Sequence, residues 1–222
     1  MDQPRHQIDW RNGNVPVSRQ FDDPFFSLEN GLEETRHVFL TGNALPARFK
    51  PDFHIAELGF GTGLNLIAAA LAWEGSGQQG RLHFTSFEAF PLAADDLRMA
   101  LAGFAGTAPY VDLIATALAG DGKITTAQLS AQIIFGDARV TLPAWDGRAD
   151  AWFLDGFAPA RNPELWEPAL LAQVARHTAA GGTCATYSAA GAVRAALADA
   201  GFTVTRIPGY GRKRHMTQGV LS

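Results

Sequence analysis

Short apolar runs alternate with longer stretches rich in alanine and leucine along this chain, and that alternation restricts its possible folds more than any other feature. Phe53-His54-Ile55-Ala56-Glu57-Leu58 is short, apolar and closed by glycines, which suits a buried strand. From Leu64 to Trp73 alanine and leucine dominate with no breaker until Gly75, so a helix follows. A second strand is expected over 81–87 and a helix from Pro91, placed at a first turn, to about Leu101. Residues 103–130 read as one or two short helices and a loop. Strands are expected at 133–135 and 151–154, and a helix from Pro163 to about His177, closed by Gly181-Gly182. A strand at 183–187, a helix at about 190–200 and strands at 202–207 and 216–221 complete the pattern. Such alternation predicts an α/β fold with a doubly wound, mostly parallel sheet and helices on both faces. Ligands on such sheets sit outside the carboxyl ends of the strands, near the switch point, so the residues there decide the chemistry.

The bulk properties narrow the setting. At 222 residues the chain suits one domain, read as residues 51–222 preceded by an N-terminal extension over 1–50. Hydrophobic residues at 47% against 18% charged exclude disorder as the main state. No apolar run approaches the roughly 20 residues that span a bilayer, and the start, Met1 to His6, has no apolar stretch of a secretory signal. A cytoplasmic protein, monomeric or weakly oligomeric, is expected. Cys184 is the only cysteine, which rules out an intrachain disulfide and a cysteine-rich metal site. It reads as a small core residue of a buried strand, not as a nucleophile. A net charge of −4 does not mark a nucleic-acid binder, yet Arg206, Arg212, Lys213, Arg214 and His215 concentrate positive charge near the C-terminus.

The first strand ends in Glu57-Leu58-Gly59-Phe60-Gly61-Thr62-Gly63. Glycines at alternate positions let the backbone turn sharply and pass close to a ligand. The nicotinamide fingerprint needs a third glycine where Leu64 stands. The spacing, with an acid two residues before the first glycine, resembles instead the first motif of class I S-adenosylmethionine-dependent methyltransferases, which are Rossmann-like. Gly75-Ser76-Gly77-Gln78-Gln79-Gly80 spaces its outer glycines like a P-loop, but lacks the lysine and hydroxyl and reads as a connector. Glu88 at the second tip can accept two hydrogen bonds from a ribose diol. At the third tip, Gly136-Asp137-Ala138-Arg139, the aspartate can take an adenine amino group while apolar neighbours cover the ring. The fourth tip reads Asp155-Gly156-Phe157-Ala158-Pro159. Methyl transfer is an in-line displacement, so a protein mainly aligns the nucleophile and excludes water. Asp155 there can orient an amine and take up its proton, and Phe157 offers a face on which a base can stack. The layout parallels the acid-Pro-Pro-aromatic motif of amine methyltransferases without matching it.

Longer strings carry a closer resemblance. Phe21-Asp22-Asp23, Phe25-Phe26-Ser27, Asn30 to Thr35, Gly59 to Asn65, Asp155 to Pro159 and Gly209-Tyr210-Gly211-Arg212-Lys213-Arg214 resemble the methyltransferase domain of the bifunctional tRNA-modification enzymes of the MnmC family. The resemblance runs from about Val15 to the C-terminus. It implies N-methylation of 5-aminomethyl-2-thiouridine at the tRNA wobble position, giving the 5-methylaminomethyl derivative. It also implies that Glu57, Gly59, Phe60, Gly61, Thr62, Gly63, Asn65, Glu88, Asp137, Ala138 and Asp155 hold S-adenosylmethionine. Asp155 and Phe157 would meet the aminomethyl uridine, and the N-terminal segment would close over the pocket. The bifunctional enzymes continue into a flavin-dependent oxidase domain. This chain has no second glycine fingerprint, so no flavin and no metal are expected, and a separate enzyme would supply the amine. The anticodon loop of tRNA is the expected partner, with Arg161, Arg212, Lys213 and Arg214 meeting its phosphates. Two other readings are a methyltransferase of small-molecule or protein amines and a non-catalytic nucleoside-binding module.

Overall fold

The computed structural model describes residues 5–27 and 30–222. Met1–Pro4, where a secretory signal would begin, and Leu28–Glu29 of the N-terminal extension lie outside the described residues. The extension opens with a small antiparallel sheet of β1 (Ile8–Arg11), β2 (Val15–Ser18) and β3 (Asp23–Pro24). Helix α1 (Gly31–Thr35) follows, its N-terminus capped by Asn30, whose side chain accepts from the Glu33 N–H. It runs on through a π-helical turn at Arg36–Leu40 and a 3-10 turn at Thr41–Asn43.

The alternation then unfolds as β4 (His54–Leu58), α2 (Leu64–Ser76), β5 (Leu82–Glu88), α3 (Ala94–Leu101), α4 (Ala108–Ala119), β6 (Lys123–Thr125), β7 (Leu129–Phe135), α5 (Ala138–Thr141), β8 (Ala149–Leu154), α6 (Pro168–Arg176), β9 (Thr178–Thr186), α7 (Gly191–Asp199), β10 (Phe202–Pro208) and β11 (His215–Leu221). Three details depart from the sequence expectation. Residues 103–130 hold one helix and the edge strand β6, whose antiparallel pairing carries β7 back to Leu129. The helix expected over 163–177 is divided: Pro163–Trp166 is a 3-10 turn, and α6 starts afresh at Pro168. Proline forces the residue before it out of the helical region, and Glu167 accordingly sits at ψ 137°. Gly181-Gly182 do not close that helix. They lie within β9, where its register against β8 shifts between Ala149 and Ala151.

The eight-stranded sheet has the order β10-β11-β9-β8-β4-β5-β7-β6. Strands β4, β5, β7, β8 and β9 pair in parallel, whereas β6 and β11 run antiparallel to their neighbours. The chain builds outward from β4 through β5 to β7, then returns to place β8 on the other side of β4. The switch point therefore lies between β4 and β8. Alternate strand residues feed two cores. Ile55, Phe84 and Phe153 face α2, α3 and α4, while Ala56, Phe87 and Trp152 face α5, α6 and α7.

Residues 31–49 are not merely appended to this sheet. Leu32, Val38, Phe39, Leu40, Leu45 and Phe49 join the same core as α2. Asn43, fully buried, pins them to the strands: its amide donates to Phe39 O (2.9 Å) and Trp152 O (3.3 Å), and accepts from Thr183 Oγ1 (2.6 Å). Arg48 reinforces the attachment by donating to Thr183 Oγ1, Asp150 O and Gly181 O. Asn43→Ala leaves buried partners unsatisfied and should cost about 2–3 kcal/mol, lowering Tm on the order of 5–10 °C. A thermal melt within a degree of the native protein would show that this anchor is dispensable.

Candidate active site

Four parallel strands deliver their carboxyl ends to one edge, and backbone hydrogen bonds tie these tips in series. Asp155 N–H donates to Leu58 O (3.0 Å), Gly59 N–H to Phe87 O (3.0 Å), and Gly136 N–H to Glu88 O (2.9 Å). The loop after β4 is compressed against the loop after β8. Gly59 has φ +86°, and a Cβ there would stand 2.5 Å from Asp155 O, so both conformation and space require glycine. Gly63 caps α2 in the left-handed region, where a Cβ would meet Phe60 and Ile114.

Beneath this loop the side chains form a buried relay. The Asn65 Nδ2 group donates to Glu57 Oε1 (2.8 Å) and to Asp155 Oδ2 (2.6 Å), while Ser86 Oγ donates to Glu57 Oε2 (2.6 Å). Glu57 is wholly buried, and desolvation raises its pKa well above the ordinary carboxylate range despite the bonds from Ser86 and Asn65. Burial likewise lifts Asp155 to about 7; the Asn65 hydrogen bond and the Lys213 ammonium oppose the rise, and Glu34 adds to it. A carboxyl poised there can take or give a proton near neutral pH.

Above the relay lies a cavity of about 830 Å³. Gly59, Phe60, Gly61, Thr62, Asn65, Glu88, Asp137, Ala138, Asp155 and Phe157 line it, so the sequence-derived candidates converge on one space. Glu57 lies below the floor as support, and Gly63 shapes the turn behind it. Glu88 receives Gly61 N–H (3.0 Å) and Phe90 N–H (2.7 Å), which holds its carboxylate toward the cavity. Burial raises its pKa and those backbone bonds counter the rise. Asp137 caps α5 and is gripped by Arg139, whose hydrogen bonds hold its pKa low. With the Gly61 amide committed to Glu88, and Glu88, Asp137 and Asp155 in the wall, the site does not suit a phosphate. It suits a phosphate-free nucleoside that presents hydroxyl and amino donors, and a cation beside it.

The far wall comes from the N-terminal residues. Phe157 stacks on Phe21 (centroids 5.0 Å, 28°) and meets Phe25 edge-on (5.1 Å, 82°), while His6 packs among these rings with its pKa lowered to about 4 by burial. Asp23 accepts from Ala158 N–H (2.9 Å), fastening this segment to the loop after β8. Glu34, Tyr187 and Tyr210 also line the cavity. None of these three was singled out from sequence, because isolated acids and tyrosines carry no spacing signal of their own. The basic residues separate. Arg161 sits at the rim, paired with Asp22 (2.8 Å); Arg212 lines the cavity; Arg214 is exposed. Lys213 turns inward to Glu34 (2.9 Å). Cys184 is buried on β9 with its thiol pushed up to about 12, which suits a core residue.

Comparison with known proteins bears on this geometry. A family model described as S-adenosyl-L-methionine-dependent methyltransferase matches residues 108–222. The chain is 47% identical over 225 residues to the tRNA 5-methylaminomethyl-2-thiouridine biosynthesis bifunctional protein MnmC of Pseudomonas aeruginosa (strain UCBPP-PA14), covering 96% of this chain and 34% of that protein. It is 44% identical over 234 residues to the protein of the same name from Chromobacterium violaceum, covering 97% and 34%. The chain thus spans about a third of the length of the curated relatives it matches. Among solved structures, MNMC2 from Aquifex aeolicus aligns with a TM-score of 0.75 at 26% identity, over 100% of this chain and 72% of that one. A precorrin-6y C5,15-methyltransferase from Geobacter metallireducens GS-15 shares the fold at a TM-score of 0.52 and 12% identity, over 96% and 98% of the two chains.

The relay makes Glu57 testable apart from catalysis. Glu57→Ala breaks a buried network and should destabilise by about 2–4 kcal/mol, whereas Glu57→Gln keeps both contacts and should fold. Because the folded pKa of Glu57 is raised, the folded state retains a proton that the unfolded chain has already released, so native stability falls as pH rises. Denaturant titrations at about pH 5 and about pH 8 should show a steeper loss for the native protein than for Glu57→Gln. Equal losses would mean that Glu57 is not the titrating group.

Proposed function

Because the chain belongs to the S-adenosyl-L-methionine-dependent methyltransferases, we propose that it methylates the aminomethyl nitrogen of 5-aminomethyl-2-thiouridine at the wobble position of tRNA, giving the 5-methylaminomethyl derivative. The observation that carries this reading is the placement of Asp155: a half-buried carboxyl with its pKa near 7, held by Asn65, facing a cavity between the glycine loop and the Phe157–Phe21 pair. The names of the 44–47% identical relatives support the acceptor.

When bound, the cofactor supplies a methyl group on a cationic sulfonium. Gly59 and Gly61 would give it a backbone wall without side chains, Glu88 would take the ribose hydroxyls, and Asp137 and Ala138 would meet the adenine. Phe157 and Phe21 offer a face to the splayed wobble base. Asp155 would hydrogen-bond and orient the acceptor nitrogen, and would receive the proton that the amine must lose. The aromatic N-terminal wall keeps bulk water from the reacting atoms. Residues 1–50 act in this scheme as the cover of the site and 51–222 as the catalytic domain. The amine-bearing uridine comes from a prior reaction, and a tRNA acceptor places the work in the cytoplasm. No helix among the described residues is long and apolar enough to cross a membrane.

Transfer of labelled methyl from S-adenosylmethionine into tRNA from cells lacking the modification tests the reading directly. Label should appear in wobble 5-methylaminomethyl uridine, and Asp155→Asn should lose about 10²–10⁴-fold in kcat/KM. No label, with cofactor binding and aminomethyl tRNA both confirmed, would turn the search to small-molecule or protein amines, or to a binding role. The sign of the pH dependence follows from Asp155: below about 7 its carboxyl is neutral and cannot accept a proton, above it the carboxylate can. With chemistry rate-limiting, kcat should therefore rise through about pH 7, and a flat profile between about pH 6 and 9 would refute the role given to Asp155. Arg161, Arg212 and Arg214, with Lys213 on the same loop, are proposed to meet RNA phosphates. Arg214→Ala should weaken tRNA binding and reduce the slope of log affinity against log salt by about 1. An unchanged slope would remove Arg214 from the phosphate contacts.

A further inference from the structure

Lys213 belongs to the basic cluster of the sequence, yet its ammonium lies in the cavity wall, 2.9 Å from Glu34 Oε1 and 4.1 Å from the centre of the Tyr187 ring. A carboxylate on one side and an aromatic face on the other are the two groups best suited to recognise an alkylammonium ion. Both are held in place. The Tyr187 hydroxyl donates to Gly156 O (2.7 Å), which sets the ring at the end of β9 next to the Asp155 loop. Glu34 follows the Asn30 cap, and its N–H donates to Asn30 O (3.1 Å).

The two ends of the ion pair differ in freedom. The Glu34 side chain is 15% exposed, whereas that of Lys213 is 47% exposed and springs from the loop between β10 and β11, where Gly211 adopts φ +56°. The carboxylate is therefore the fixed partner and the lysine the removable one. Asp155, Asp23 and Glu34 all act electrostatically on Tyr187, so the ring faces a negative surround that favours a cation over it.

We propose that Glu34 and the ring of Tyr187 form the subsite that receives the acceptor's alkylammonium group, and that Lys213 fills this subsite until the acceptor displaces it. The subsite deepens the methyl-transfer reading and rests on its amine acceptor. Exchange of one ammonium for another leaves the local charge unchanged and never strands Glu34 without a counter-ion, which would be costly for a largely buried carboxylate. It also keeps the acceptor nitrogen within electrostatic reach of Asp155, on which both Glu34 and Lys213 act. A cation that stayed in place would instead repel the incoming ammonium.

The test uses propylammonium as a probe, with no RNA present. Lys213→Met vacates the subsite, so propylammonium chloride should raise its Tm by several degrees relative to sodium chloride at equal ionic strength. The native protein should show no such difference, and Lys213→Met combined with Glu34→Gln should lose it; Lys213→Gln serves if the methionine variant does not fold. In turnover, Glu34→Gln should raise the acceptor KM by roughly tenfold or more with the cofactor Kd unchanged. Equal stabilisation of native and Lys213→Met proteins, or stabilisation that survives removal of Glu34, would overturn the proposal. The ammonium readout does not involve tRNA, so its failure leaves tRNA methylation standing, and absence of methyl transfer to tRNA leaves the subsite standing.

Discussion

One amide nitrogen organises the active end of this molecule. Asn65 Nδ2 has two hydrogens, and each is given to a different acid: one to Glu57 within the sheet, the other to Asp155 at the cavity. Asn65 comes from the first turn of α2, so its aim depends on where that helix starts, and that depends on the left-handed Gly63 before it. Asp155 is fixed from the other side by its own N–H to Leu58 O. The glycine loop, the helix start and the two strand tips are thus one mechanical unit. An amide suits the bridging position because it donates to two carboxyls while bringing no charge of its own. A lysine there would hold both acids ionised, and a second acid would add repulsion to an already costly burial.

That economy of charge extends across the cavity. Its described wall carries Asp23, Glu34, Glu88, Asp137, Asp155 and Glu164 against Arg139, Arg212 and Lys213, with Arg139 held by Asp137 and Lys213 by Glu34. Such a surround favours a cationic ligand and disfavours phosphates, in keeping with the family to which the chain belongs. It also explains how a protein of net charge −4 can be proposed to bind RNA. The excess of acids is gathered inside the cavity, while Arg161 and Arg214 are exposed outside its lining, so a backbone of phosphates need not approach the negative interior.

The parts of this arrangement that were legible in the sequence are those with a local signature. The glycines after β4 announce a backbone that must turn, and the acids Glu88, Asp137 and Asp155 stand where short apolar runs end. The doubly wound, mostly parallel sheet and the edge that carries the site follow from alternation and the switch-point rule. What escaped has a nonlocal cause. Pro168 divides a helix whose apolar spacing looks continuous, and Gly181-Gly182 mark a register shift in β9 that only pairing with β8 reveals. Glu57 stands two residues before a glycine, which suggests a ligand contact. Yet strand alternation turns its side chain toward α2 and Ser86, so that it supports the site from below. Lys213 looked like one of three adjacent surface cations. Its partner Glu34 lies 179 residues away, and no spacing rule reaches that far.

The same reasoning bears on the N-terminal residues, which a view of the fold as sheet plus appendage would set aside. Phe25 touches the glycine loop near Gly61 and the acceptor-side ring of Phe157, and so spans both halves of the cavity. Asp23 holds Ala158 N–H, and residues 31–49 are bolted to the sheet through Asn43 and Arg48. The segment is fixed at its C-terminal end by the core, and at its tip by the hydrogen bonds of Asp23 and His6, the Arg161 contacts to Asp22 and Phe21 O, and a cluster of rings. The rings over Phe157 present the flat apolar area that a stacked base would cover, so in the proposed reaction the wall that excludes water is also the surface offered to the base.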